Sequence, residues 1–459
     1  MSEPQHNPDQ DDELIAPWER SFEKVVTPFE EFIHNQTSSG IVLMVTTLIA
    51  LGIANSPLVH AYEHILRSVV GISIGGWELK KTLHHWINDG LMVLFFFLAG
   101  LEIKREVLVG ELASLRKAAL PIFAAIGGMV APALIYFAIN PHGEVARGWG
   151  IPMATDIAFA VGALVLLGKR VPRSLLMFLV ALAIVDDLGA VAVIAVFYTD
   201  KIALDALGVA AALFALLVVF NLGGVRKPLP YFLIGTLLWL ATLKSGIHAT
   251  VAGVLVAFTI PARPKYDPQR FSLHMRDLLD RFDAHHVPGT RSILRNQEQF
   301  SLVQTLENGI HKVETPLQRL EHAFHLPVGL MIIPIFALAN AGIPVAFGTL
   351  GHLVTNPVTL GVVLGLVAGK FIGITGASWL AIRLGLAGLP AGANMKHIAG
   401  VALLGGIGFT MSIFIAELAF APLPAELLMA KTGILLASLL AGTLGYIWLL
   451  KIAPQSPAP

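Results

Sequence analysis

Apolar runs of bilayer length follow one another along almost the whole chain, and no other feature constrains the fold as strongly. A helix rising about 1.5 Å per residue needs roughly 20 mostly apolar residues to cross a hydrocarbon layer about 30 Å thick. Twelve candidate spans are present, near residues 38–55, 86–107, 117–139, 149–168, 174–198, 203–222, 229–244, 246–261, 322–345, 356–384, 397–419 and 427–451. Only 14% of the 459 residues are charged, 55% are hydrophobic and mean hydropathy is +0.72. An average soluble domain carries roughly 25% charged residues, so a soluble enzyme is not expected. In lipid, backbone groups must be satisfied within helices. The fold class predicted is therefore an all-α polytopic membrane protein. Net charge is zero, which indicates no nucleic-acid partner. The chain has no cysteine, which excludes disulfides, thiol catalysis and Cys-ligated metals.

Basic residues set the orientation by the positive-inside rule. With both termini cytoplasmic, the clusters at Lys104, Arg105, Arg116 and Lys117, at Lys169, Arg170 and Arg173, at Arg226 and Lys227, and at Arg383 and Lys396 all fall inside. The first 20 residues are polar and acidic, so no cleavable signal peptide is expected. Residues 1–37 are read as a tail followed by an interfacial amphipathic helix, with Phe22, Val26, Phe29 and Ile33 at helical spacing. Spans 1–8 occupy 38–261, a cytoplasmic insertion 262–320, spans 9–12 occupy 321–452, and a short tail 453–459 closes the chain. Residues 70–81 carry Gly75-Gly76 between strand-like runs, a hairpin signal on the periplasmic side. In the insertion, Val303, Leu306, Ile310, Val313, Leu317 and Leu320 alternate by three and four. Thr315-Pro316-Leu317-Gln318 predicts a capping box, so one helix ends there and another begins. The stripe fits either a linker lying on the membrane body or a partner-binding coil.

Charges in the middle of spans are expensive, about 2.5–3.5 kcal/mol each even on the mildest scales, and are functional candidates for that reason. Asp186 and Asp187 sit centrally in VALAIVDDLGAVAVIAV. Successive helical residues point about 100° apart, so the two carboxylates line adjacent walls of a cavity. Close carboxylates titrate as a coupled pair, and their oxygens are ligands for hard cations. One such site holds protons or a small cation, not both, which is a chemical basis for exchange. Thr155 and Asp156 follow Gly150 and Pro152 in a span that cannot be a regular helix throughout, and GGIGFTMSIF (405–414) interrupts a second span. Paired breaks in the two halves of a chain point to a transport site, and Asp156 would offset the positive half-helix ends there. Lys370 is too central to reach water; it pairs with Asp186 or Asp187, or offsets negative helix ends.

Four further groups are weaker. Asp89, beside Trp86, lines an entrance or caps a helix; Glu102 and Glu106 line an inner funnel or form an interfacial charged face. Glu321, His322 and His325 open the ninth span, where the histidines would titrate near neutral pH or merely decorate the interface. His248 follows a Ser-Gly break and is read as structural. An intramembrane aspartyl protease is excluded because Gly406-Ile407-Gly408 is followed by Phe409, not Asp. A prenyl transferase would need its acidic residues at the surface, and a passive channel would not couple two ions.

The stretches ATDIAFAVGAL, ALAIVDDLGAVAVIAVFYT, LKSGIHATVAGV, FALANAGI and GIGFTMSIFIAELAF resemble the NhaA-type sodium/proton antiporters, over roughly residues 25–261 and 319–452. The rule that paired broken helices mark a transport site was drawn partly from this family, so the architecture is implied by resemblance. The resemblance implies twelve helices, inverted repeats at spans 3–5 and 10–12, and spans 4 and 11 broken and crossing at mid-membrane. It implies a non-enzymatic carrier of the bacterial inner membrane without cofactors. That carrier exchanges Na+ or Li+ for H+ by alternating access, electrogenically and under pH control. Asp186 and Asp187 match the cation and proton site, with Asp187 central to Na+; Thr155 and Asp156 match the unwound segment beside it. Lys370 matches the charge-compensating lysine, Asp89, Glu102 and Glu106 acidic residues of the second helix, and Glu321, His322 and His325 the pH-linked cluster. The hairpin at 70–81 matches one that joins two protomers. The insertion at 262–320 departs from the shorter members and puts the route of pH control in doubt.

Overall fold

A computed structural model describes residues 36–74, 77–199, 202–263, 268–284, 297–344, 351 and 355–452. The predicted amphipathic helix at 17–34, the Gly75-Gly76 turn and both tails lie outside the described residues. The chain is almost wholly helical. In order it forms α1 (Gln36–Ala54), α2 (Val59–Arg67), the strands β1 (Val69–Ile74) and β2 (Trp77–Thr82), α3 (Met92–Val109), α4 (Leu115–Ile139) and α5 (Ile157–Val165). Then come α6 (Arg173–Phe197), α7 (Leu204–Leu222), α8 (Pro228–Ser245), α9 (Val251–Thr259), α10 (Pro268–Ala284) and α11 (Gln297–Val313). The last are α12 (Pro316–Pro327), α13 (Ile333–Asn340), α14 (Pro357–Leu364), α15 (Lys370–Arg383), α16 (Met395–Leu404), α17 (Phe409–Ala419) and α18 (Pro424–Ile452).

Among the described residues, seven helices are long and apolar enough to cross a membrane, and nine if each of two bent pairs counts as one span. Three of the twelve predicted stretches fall short. The stretch 86–107 opens in a π-helical segment, Trp86–Leu91, and α3 carries Glu102, Lys104, Arg105 and Glu106. The stretch 229–244 is helical as α8 but does not meet the same measure of length and apolarity. The stretch 246–261 yields only the nine residues of α9. Gly246 (φ +87°) ends α8 in the left-handed region, and the chain turns through 247–250 before α9 begins.

The hairpin forms as predicted: β1 and β2 pair antiparallel from Val69 opposite Thr82 to Ile74 opposite Trp77. The capping box forms as well, with Thr315 Oγ1 accepting from Gln318 N–H and the Gln318 side chain accepting from Thr315 N–H. Within the insertion, α10 and α11 lie together; Met275 fills the space beside Gly309, and Gln299 Nε2 donates to Phe282 O at 3.2 Å.

The membrane body is held by close helix packing. Gly127 on α4 and Gly373 on α15 meet backbone to backbone, so a Cβ on either would strike the other's carbonyl. Gly369, four residues earlier, lies against Pro132 in the same way. Small residues four apart let two helix backbones approach, and in lipid such contact replaces the missing hydrophobic drive. Immediately before Lys370, residues Gly365–Gly369 wind as a π-helix, a local widening found often at functional sites. The same contacts therefore fix the depth at which Lys370 enters the core.

Candidate cation and proton site

Two breaks in helical winding build the floor of the site. After a 3-10 segment (Glu144–Met153), residues Ala154–Asp156 run extended before α5 begins. Residues Gly405–Gly408 separate α16 from α17, which are bent by 50° to one another. The breaks touch. Asp156 N–H donates to Ile407 O at 2.7 Å, and Thr155 Oγ1 donates to Gly405 O at 2.8 Å. These bonds satisfy carbonyls that the end of α16 leaves unpaired.

Asp156 caps two helices at once. Its Oδ1 accepts from Phe159 N–H at 3.1 Å, in the first turn of α5. Its Oδ2 accepts from Thr410 N–H at 3.0 Å and Thr410 Oγ1–H at 2.6 Å, in the first turn of α17. Each helix N-terminus carries about half a positive charge, so one carboxylate balances both.

Asp186 and Asp187 lie near the middle of α6 and are 2% and 3% exposed. Lys370 Nζ donates to Asp186 Oδ2 at 2.6 Å, with both side chains buried. The lysine thus has a carboxylate partner, and that partner is the first of the two aspartates. Asp187 is placed differently: it has no ion-pair partner among the described residues, and its Oδ1, like that of Asp186, is buried without a hydrogen-bond partner among them. It lines a cavity of about 350 Å³ together with Asp156, Thr410, Glu102, Arg105, Glu321 and His325. No group of three or more His, Asp or Glu able to hold a metal occurs among the described residues.

The cavity connects two groups of predicted residues. Near its mouth, Arg105 Nε pairs with Glu321 Oε1 at 3.0 Å, and His325 Nδ1 stands 3.9 Å from Glu102 Oε1, so charged contacts tie α3 to α12. Glu106 does not line the cavity; it pairs with Arg105 at 3.2 Å and accepts from Glu111 N–H. His322 is exposed beside Glu321. Asp89 lies apart in the π-helical segment, in a small recess with Lys81, His85 and Trp239, so it is not part of this funnel. His248 packs edge-on against Phe414. Sequence reasoning missed Thr410 as the donor to Asp156 and Arg105 as the bridge between α3 and α12. The first was legible as a hydroxyl just after a break, the second only as a basic loop-end residue.

The family model for "Na+/H+ antiporter 1" matches residues 30–449. The chain belongs to the Na+/H+ antiporter family. It is 58% identical over 438 residues to Na+/H+ antiporter NhaA 1 of Saccharophagus degradans, covering 95% of this chain and 94% of that protein. It is 54% identical over 444 residues to the NhaA antiporter of Sulfurimonas denitrificans, covering 96% and 99%. The NhaA antiporter of Dichelobacter nodosus is 50% identical over 448 residues, covering 97% and 96%. Family membership and the apolar helices together make this a multi-pass membrane protein, and its relatives are transporters, not enzymes. The region that the family model matches includes residues 262–320.

Proposed function

We propose that this chain exchanges cytoplasmic Na+ or Li+ for external H+ in the bacterial inner membrane, by alternating access at Asp187. The observation that carries the reading is the contrast among three buried aspartates. Asp156 is committed to two helix ends and one oxygen of Asp186 to Lys370, while Asp187, with neither kind of partner among the described residues, faces the cavity. A buried carboxylate without a partner is held by a proton or by a cation, and either excludes the other.

The cycle follows from that competition. At high internal pH the aspartate pair gives up its protons toward the funnel, and a dehydrated alkali cation enters beside Asp187. Asp186 and Thr155 complete its surroundings, and the Lys370–Asp186 bond rearranges as the cation shares the negative charge. The bundle carrying the two breaks then moves, the cation leaves outward, and external protons reload the carboxylates. More than one proton per cation makes the cycle electrogenic, so the membrane potential drives it.

The rest of the architecture belongs to the same proposal. Twelve spans include inverted repeats at spans 3–5 and 10–12, the two broken spans cross at mid-membrane, and both termini are cytoplasmic. Residues 1–37, 38–261, 262–320, 321–452 and 453–459 are its successive parts. Glu102 guides cations, Glu106 holds Arg105 beside it, Asp89 serves the outer face, and Glu321, His322 and His325 set the pH response through Arg105 and Glu102. The hairpin β1–β2 joins two protomers, and no cofactor takes part.

The test is sodium-induced movement of protons in everted vesicles. Asp187→Asn keeps the shape of the side chain and removes its charge, and it abolishes exchange. Normal exchange by that variant would refute the role of Asp187.

A further inference from the structure

At the end of the body opposite the funnel, three helices and one short segment bring polar groups together where the route from Asp187 would leave. Glu417 lies seven residues beyond Thr410 on α17, about 10 Å along the helix axis. Its Oε1 pairs with Lys431 Nζ of α18 at 2.5 Å and faces His84 Nε2 at 3.8 Å. The Glu417 and Lys431 side chains are each 12% exposed and that of His84 28%. His84 Nε2–H donates to Asn340 Oδ1 at 2.9 Å, since an amide oxygen only accepts. Asn340, at the end of α13, in turn donates to Asn88 Oδ1 at 2.8 Å.

Between this cluster and the aspartates lies an aromatic layer. Phe414, on α17 between Thr410 and Glu417, touches Phe96 and Phe336 at ring-centre distances of 5.5 and 6.2 Å, and all three are fully buried. The cavity that reaches Asp187 is lined by Glu102, Arg105, Glu321 and His325 toward the funnel, and neither these three rings nor the polar cluster beyond them lines it. The cap divides along one line. Glu417 and Lys431 belong to the half with the second break, whereas His84, Asn88 and Asn340 belong to α13 and the entry to α3. The pair that crosses this line, His84 with Glu417, is the longest contact in the cluster, and both partners are partly exposed to water.

We propose that His84, Asn340, Glu417 and Lys431 form a clasp that closes the outer end of the transport route, and that Glu417 parts from His84 when the site opens outward. The inference rests on the exchange reading given above and adds the outer closure to it. Burial pushes the His84 imidazole below the usual histidine range, Glu417 pulls the other way, and Lys431 and His85 add to the lowering. Near neutral pH the clasp is therefore held by the neutral ring's N–H to Asn340 and by the Glu417–Lys431 ion pair.

The absence of native cysteine allows a direct test. Ala337→Cys, at a buried position one turn before Asn340, is exposed to a membrane-impermeant maleimide from the outer side of oriented vesicles. With Glu417→Gln added, labelling becomes several-fold faster because the clasp is weakened; an unchanged rate would overturn the proposal. This readout does not depend on transport. In a second arm, cysteines at positions 84 and 417 are bridged by a bifunctional methanethiosulfonate in proteoliposomes. Exchange stops when bridged and returns on reduction; exchange that continues at full rate through the bridge would also overturn the clasp. The unsubstituted chain in the same proteoliposomes separates the two readings. If it fails to exchange, the exchange reading falls, while the labelling arm still decides whether the clasp closes that end.

Discussion

Replacing Lys370 by methionine tests the charge balance of the core. The Lys370–Asp186 pair is 1% and 2% exposed and 2.6 Å long. Removing one member of such a pair leaves a desolvated charge and costs about 3–5 kcal/mol, whereas removing both charges together is often neutral or stabilising. Lys370→Met should therefore lower stability by that amount. Asp186→Asn alone should also destabilise, because it strands the ammonium. Asp186→Asn with Lys370→Met should recover most of the loss, giving a coupling of about 3 kcal/mol or more. Domains of 150–250 residues shift by roughly 2–4 °C per kcal/mol, and longer chains by less. At about 2 cal/mol/K per residue this chain shifts by about 1 °C per kcal/mol, so a fall of about 3–5 °C is expected for Lys370→Met in detergent, read by intrinsic fluorescence at one heating rate. If the double variant melts at the sum of the two single losses, the pair is not coupled and the charge-balance argument fails.

Three further outcomes are expected. Titrating the purified protein with Na+ in two buffers of different ionisation enthalpy should give different observed heats, because cation binding releases protons; equal heats would deny competition at Asp187. Glu321→Gln frees Arg105 from its 3.0 Å partner on α12 and should displace the activation pH of exchange without abolishing it; an unmoved profile would remove Glu321 from pH control. Gly373→Ala inserts a methyl against the Gly127 carbonyl and should cost about 1–3 kcal/mol by overpacking, seen as a lower melting point; full stability would show that α4 and α15 are free to separate.

The sequence exposed what lipid makes expensive. Asp156, Asp186, Asp187 and Lys370 stood out because each is a charge in an apolar run, and the two breaks stood out because Gly and Pro interrupt helices. The hairpin and the capping box were legible because both are local, set within a few residues. Pairing was not legible. Lys370 had two aspartates within its plausible reach, and only the packing of α15 and α6 on α4 selects Asp186, 184 residues away. The π-helical segments were hidden because their hydrophobic pattern is that of ordinary helices. Two other features follow from rules applied too simply. Asp89 and Glu106 were grouped with Glu102 by shared charge and neighbourhood, yet the winding of the 86–109 stretch sends them to different surroundings. Glu417 was overlooked although it is the single charge in FIAELAF, because nothing in its own stretch shows the lysine and histidine that face it from other helices.

One consequence of the charge arrangement reaches beyond any single residue. The N-termini of α5 and α17 together present roughly one positive charge, and Asp156 supplies roughly one negative. Lys370 and Asp186 likewise cancel. Two of the three central carboxylates are thus balanced by other groups of the fold in the arrangement seen here, and the second of these balances changes in the proposed cycle. Asp187 is the one left for a mobile charge to balance in that arrangement. A carrier must not move with an uncompensated buried charge, since exposing one to the low-dielectric interior costs several kcal/mol. That cost blocks movement of the empty, deprotonated site and permits it with either a cation or protons aboard. On the exchange proposed above, coupling then needs no separate gatekeeper: the occupancy of Asp187 is the condition for the transition.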